Sequence, residues 1–139
     1  MIAIKQVNNT KSINNNYIIN EMDQRLYLAC KNENIEEVKQ LLTNTTVDVN
    51  KINREGVTPF YIACENGWID IVELLLNNEK VDVNKANPSS LTPFYIACEK
   101  GHIEIVKLLL NDNRVDIIKQ RVMEKQLFIL LVIMEMIRL

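Results

Sequence analysis

The stretch TPFYIACE, from Thr58 to Glu65, returns without a change as Thr92 to Glu99. The interval is 34 residues, and the flanking sequence keeps it. Ala29, Ala63 and Ala97 obey it, as do Leu42, Leu76 and Leu110, and the pairs Val47-Asp48, Val81-Asp82 and Val115-Asp116. A fixed period of this size marks an array of small units. One such unit cannot cover its own apolar face, so it is stable only when stacked on neighbours.

Each unit carries its own start and stop signals. Thr58 is a good N-cap and Pro59 falls at the first helical position, where its missing N–H costs nothing. A short helix is expected from Pro59 to Asn66, with Gly67 permitting the turn that ends it. A second helix, about Ile69 to Asn77, places Val72, Leu75 and Leu76 at helical spacing for burial. Between units runs a stretch such as Val47 to Gly56, VDVNKINREG, whose β-branched residues, Asn and Gly suit an extended arm and a tight turn. Asn87-Pro88-Ser89-Ser90 lacks the glycine that Gly56 supplies, so a differently shaped tip is expected there.

Taken together, Thr-Pro, a bulky apolar residue, an aromatic, Ile-Ala-Cys, Gly, a Leu-Leu-Leu helix and Val-Asp-Val-Asn resemble the ankyrin repeat. The family core TPLHxA reads here as Thr58-Pro59-Phe60-Tyr61-Ile62-Ala63, with Tyr61 and Tyr95 where histidine is usual. The unit is one residue longer than the common 33-residue form. The resemblance implies an all-α fold, a solenoid of stacked antiparallel helix pairs joined by β-hairpin-like loops. It gives a repeat domain over 21–118, divided at about 22–55, 56–89 and 90–118. The first copy keeps Tyr27, Ala29, Cys30, Leu41 and Leu42. It has Gln24-Arg25 for Thr-Pro and Glu33 for the glycine, as expected of a cap with one face in water. Residues 1–20 are rich in Asn and are expected to be poorly ordered.

The pattern stops after Ile117, and two readings of residues 119–139 stand side by side. In the first they form an apolar closing helix on the third repeat, with association through that surface as a liability. In the second the coding frame has slipped by one nucleotide. Methionine has the single codon ATG and glutamate codons begin GA, so a displaced frame reads glycine across Met123-Glu124 and across Met134-Glu135. Those two glycines fall eleven apart, like Gly56 and Gly67, and the second lies 34 beyond Gly101. With A/T-rich codons the displaced tail can read NKTKSNGKTTLYIACNNGNDKI, a fourth repeat in register. On that reading the chain is a truncated, frameshifted fragment of a longer array with no independent function.

Composition narrows the remaining classes. Net charge is −2 with both signs interspersed, which gives no basic stripe for nucleic acid. The longest apolar run, Leu127 to Met134, is too short for a membrane span. No charged segment followed by an apolar core opens the chain, so an intracellular, cytoplasmic monomer is expected. Cys30, Cys64 and Cys98 are 34 apart, match no zinc spacing, and are odd in number. On helices packed ~8–10 Å apart they are too distant for a disulfide and read as core thiols. His102, the single histidine, shares its slot with Trp68 and reads as structural between stacked repeats. Glu36-Glu37, Asp70 and Glu73 alternate with Lys39 and Lys107 as solvated helix faces. The triplets Asn8-Asn9-Thr10 and Asn44-Thr45-Thr46 carry little weight as glycosylation sites without a signal peptide. No catalytic residue, metal site or cofactor is expected.

What the resemblance implies is a protein-binding module that holds its partner with hairpin tips and exposed first-helix positions along one concave side. Carried onto this chain, the first-copy candidates are Lys31 and Asn32. Those of the second are Ile52, Arg54, Glu55, Val57, Glu65 and Asn66. The third supplies Pro88, Ser89, Leu91, Glu99 and Lys100.

Overall fold

The computed structural model describes residues 21–117 and, beyond them, positions 131, 132, 134, 135 and 138. The expectation for residues 1–20 lies outside the described residues, as does most of that for 119–139. The five described tail positions are helical and exposed, among them Leu131, Val132 and Met134.

Six helices and no strand make up residues 21–117: α1 (21–31), α2 (Ile35–Leu42), α3 (Pro59–Asn66), α4 (Ile69–Leu76), α5 (Pro93–Lys100) and α6 (Ile103–Leu110). Within a repeat α3 packs on α4 and α5 on α6. Between repeats α3 stacks on α5, and α2, α4 and α6 form a second layer.

Local chemistry sets the ends of each helix. The hydroxyls of Thr58 and Thr92 accept from the Tyr61 and Tyr95 N–H groups at 3.1 and 3.2 Å, satisfying donors that the first turn leaves free. Gly67 and Gly101 close α3 and α5 in the left-handed region, at φ +79° and +75°. The chain reverses there, and the Trp68 and His102 N–H groups return to the Ala63 and Ala97 carbonyls. Glu33 takes the same conformation at φ 58°, and Asn34 N–H returns to Ala29 O at 2.9 Å. The turn is thus kept without glycine, at a cost of about 1–2 kcal/mol.

The core repeats with the sequence. Phe60, Ala63, Cys64, Ile71, Val72 and Leu75 are buried in the second repeat, and Phe94, Ala97, Cys98, Ile105, Val106 and Leu109 in the third. Leu26, Ala29, Cys30, Val38 and Leu41 continue the same cluster into the first. Apolar burial of this continuous kind is the main favourable term, at about 25 cal/mol per Å².

Polar clamps run between the connecting loops. Asn50 donates to the Lys80 carbonyl and accepts from Asp82 N–H, both at 2.7 Å. One period on, Asn84 donates to the Arg114 carbonyl at 2.7 Å and accepts from Asp116 N–H at 2.8 Å. At the first junction the clamp is Asp23 on α1, whose buried carboxylate accepts from Asp48 N–H at 2.9 Å. Arg114 reaches back to the Leu76 and Asn78 carbonyls, satisfying acceptors left open at the end of α4. Its guanidinium, bonded to Asp112, holds that carboxyl below its usual range.

Candidate interaction groove

The loop tips are built on asparagine. Asn53 Oδ1 accepts from the Glu55 and Val57 N–H groups, and Asn87 Oδ1 from those of Ser89 and Leu91. Gly56 and Ser90 close the two turns with N–H bonds to Asn53 O and Asn87 O at 3.0 and 2.9 Å. The expected difference between the tips is therefore absent. Ser90 enters the left-handed region at φ 65° and reproduces the glycine turn, because the Asn87 side chain bonds fix the backbone around it.

The tips stack. A Cβ added at Gly56 would stand 2.6 Å from Pro88 Cγ, so the second tip lies directly over the first. Asn87 Nδ2 donates to Tyr61 Oη at 3.1 Å and ties the second tip to α3. Burial, then the nearby Glu65 and Glu99 carboxylates, push the Tyr61 hydroxyl up to about 12 against that bond, so it stays neutral as an acceptor.

Between α1 and the first tip lies a hollow of about 520 Å3 lined by Asp23, Gln24, Tyr27, Leu28, Lys51, Ile52, Asn53, Arg54 and Glu55. Two apolar side chains face it while half exposed: Leu28 at 49% and Ile52 at 47%. Both charge signs rim it. A more open hollow of about 590 Å3 lies on the opposite layer, between α2 and α4.

The candidate positions divide into three groups. Lys31, Asn32, Arg54, Glu55, Ser89, Glu99 and Lys100 are exposed, together with Ile52. Glu65, Asn66 and Leu91 are half-buried, and Pro88 is exposed although it stacks on the first tip. Asn66 donates to the Lys31 carbonyl at 3.4 Å, and Pro88 covers Gly56. Val57 is a correction: it is 7% exposed and belongs to the core, because its backbone closes the tip turn and its side chain points inward. Of the tip and helix candidates, the structure brings Ile52, Arg54 and Glu55 to one hollow and leaves the third-repeat set elsewhere.

Sequence reasoning passed over Leu28, Tyr27 and Lys51. A signal for Leu28 was present. It occupies the slot of Ile62 and Ile96, which are 6% and 4% exposed, whereas Leu28 lies on the first repeat. That slot faces the preceding repeat, as the Asn66 bond to Lys31 on the same helix shows.

A family model described as ankyrin repeats in three copies matches residues 26–121, more than half of the chain. The chain belongs to the ankyrin repeat family. No curated protein was found to match it. Ankyrin repeats are generally protein–protein interaction modules, and the family is typically non-catalytic. In this ankyrin chain His102 Nε2–H donates to the Glu65 carbonyl at 2.9 Å, and Trp68 Nε1–H to that of Lys31 at 3.1 Å. Both aromatic rings thus fasten one repeat to the next. Burial pushes the Cys30 and Cys98 thiols up to about 12 and raises that of Cys64 as well, which keeps them protonated and unreactive at neutral pH. Among the described residues no helix is long and apolar enough to cross a membrane.

Proposed function

We propose that this chain is a non-catalytic recognition module of the cytoplasm, monomeric, that holds a protein partner along its tip row and first-helix face. One observation carries the reading: exposed Leu28 and Ile52 flank a 520 Å3 hollow whose rim bears Lys51, Arg54 and Glu55. Concave sites with an apolar floor and a few charges at the edge are where ligands gain most from desolvation. Mixed rim charge supports a partner chosen by shape and apolar contact rather than by long-range attraction. Arg54, Glu55 and Glu65 then act as orienting groups around an apolar anchor.

The test is selection of binding peptides from a displayed random library on the intact chain, followed by titration against variants. Ile52→Asp and the double reversal Arg54→Glu with Glu65→Arg should each weaken the selected peptides at least tenfold. Lys39→Glu, on the opposite layer, should leave them unchanged. Binders insensitive to the first two changes would overturn the proposal. The abrupt loss of the repeat pattern after Ile117 favours a second reading, a truncated product of a longer array, which failure to detect the polypeptide in cells would support.

A further inference from the structure

The contacts between repeats recur with the period, so what the end of the third repeat is built to contact can be read from the first two. The carbonyls of Lys31 and Glu65 each receive a ring N–H from the following repeat, and the Tyr61 hydroxyl receives Asn87 from the following tip. Their equivalents one period on are the Glu99 carbonyl and the Tyr95 hydroxyl, and no described residue donates to either. Gly67 lies under the His102 ring, whereas nothing stands within 4 Å of a Cβ placed on Gly101. The described end of repeat three therefore presents the receiving half of these three contacts.

The donors that would meet Tyr95 and Glu99 fall one period after Asn87 and His102, at 121 and 136, and the landmarks Asn84, Ser90, Tyr95 and Gly101 recur at 118, 124, 129 and 135. As translated, the chain has Ile118, Glu124, Ile129 and Glu135 there. In the frame displaced by one nucleotide, the genetic code restricts these positions. Phenylalanine codons end in T or C and isoleucine codons begin AT, so Phe128-Ile129 must yield tyrosine or histidine at 129. That is the slot of Tyr61 and Tyr95. Met123-Glu124 and Met134-Glu135 must yield glycine at 124 and 135, the slots of Gly56 and of Gly67 and Gly101. At 118 the triplet ends in AT and encodes only Asn, Asp, His or Tyr, and the slot is that of the clamps Asn50 and Asn84. Three positions depart: Met136-Ile137 forces aspartate at 137 where Ile69 and Ile103 stand, Glu135-Met136 forces Asn or Asp at 136 where Trp68 and His102 stand, and Gln120-Arg121 excludes Asn at 121, the slot of Asn87.

We infer that the end of the third repeat is the receiving surface for a fourth helix pair of the same kind, encoded after Ile117 in the displaced frame. The inference rests on the family and the junction geometry, not on the proposed groove. Loss of peptide binding would leave it standing.

The experiment reads the gene across codon 117 and expresses the chain with one nucleotide restored there, beside the chain as it stands. The restored frame should stay open and place a leucine-rich helix one period after Leu108-Leu109-Leu110. Its urea m value should rise about 1.3-fold, since m follows the surface exposed on unfolding and repeats contribute nearly equally. A stop codon before that helix, or an m value and Tm equal to those of the present chain, overturns the inference. A second variant tests the surface independently of the gene: residues 84–117 duplicated in place of 118–139. A raised Tm is expected, and an unchanged or lowered one counts against a receiving surface.

Discussion

Gly67 and Gly101 offer a controlled comparison. They share the left-handed backbone, at φ +79° and +75°, but not their surroundings. A Cβ on Gly67 would stand 2.7 Å from His102 Cε1 and 2.8 Å from Nδ1, while one on Gly101 meets nothing. Placing alanine in this region costs about 1–2 kcal/mol, offset by about 0.4–1 kcal/mol from the stiffer unfolded chain. Gly101→Ala should therefore destabilise by about 1 kcal/mol. Gly67→Ala must also displace the imidazole from the Glu65 carbonyl, adding about 1 kcal/mol for the lost hydrogen bond and bringing the total to about 2 kcal/mol. Equilibrium urea unfolding with a constant m value measures both. In a His102→Ala background the Gly67→Ala cost should fall to that of Gly101→Ala, a coupling of about 1 kcal/mol. Equal costs for the two glycines, or no coupling, would refute the ring-on-glycine account of the junction.

Ser90→Gly and Glu33→Gly should each stabilise by about 0.5–1 kcal/mol in thermal unfolding, because both residues hold positive φ without needing their side chains for the turn. Asn50→Ala and Asn84→Ala each remove two loop-to-loop bonds of 2.7–2.8 Å and should cost about 1–2 kcal/mol, seen as a lower urea midpoint. For pH, the folded state holds the Cys30, Cys98 and Tyr61 protons up to about 12, whereas the unfolded chain releases them from roughly 8.5–10. Stability contributed by these groups is thus complete below that range and is lost as pH rises through it. Urea midpoints should hold level from pH 7 to 8 and fall above pH 9, and a level midpoint to pH 10.5 would contradict the burial. The same thiols should ignore a disulfide reagent at pH 8 in the folded chain and react fully in urea.

The helix limits were open to reading because they depend on neighbouring residues alone. Thr58-Pro59 and Gly67 specify the start and stop of α3 by a side-chain oxygen, a fixed φ and a missing Cβ. The structure places the ends at Pro59 and Asn66, where that reasoning put them. The second tip was misjudged because its shape is decided by Asn87 accepting from Ser89 and Leu91, a geometry that outweighs the missing glycine. Val57 was misplaced for a related reason. Its position beside a tip suggests exposure, but closure of the turn sends its side chain into the core.

The sequence by itself determined the period, the helix pairs, the buried thiols and the family, since each follows from residue spacing and local bonding repeated in register. It also marked Ile117 as the place where the pattern ends. Only the tertiary structure decided which surfaces remain open. Leu28 and Ile62 share one slot, yet stacking covers Ile62 and leaves Leu28 beside the hollow. Asp23, which belongs to no repeated position, emerged as a clamp because α1 carries it beneath the first loop. Exposure and clamping depend on what lies across a junction 34 residues away, and spacing along the chain does not encode that distance in space.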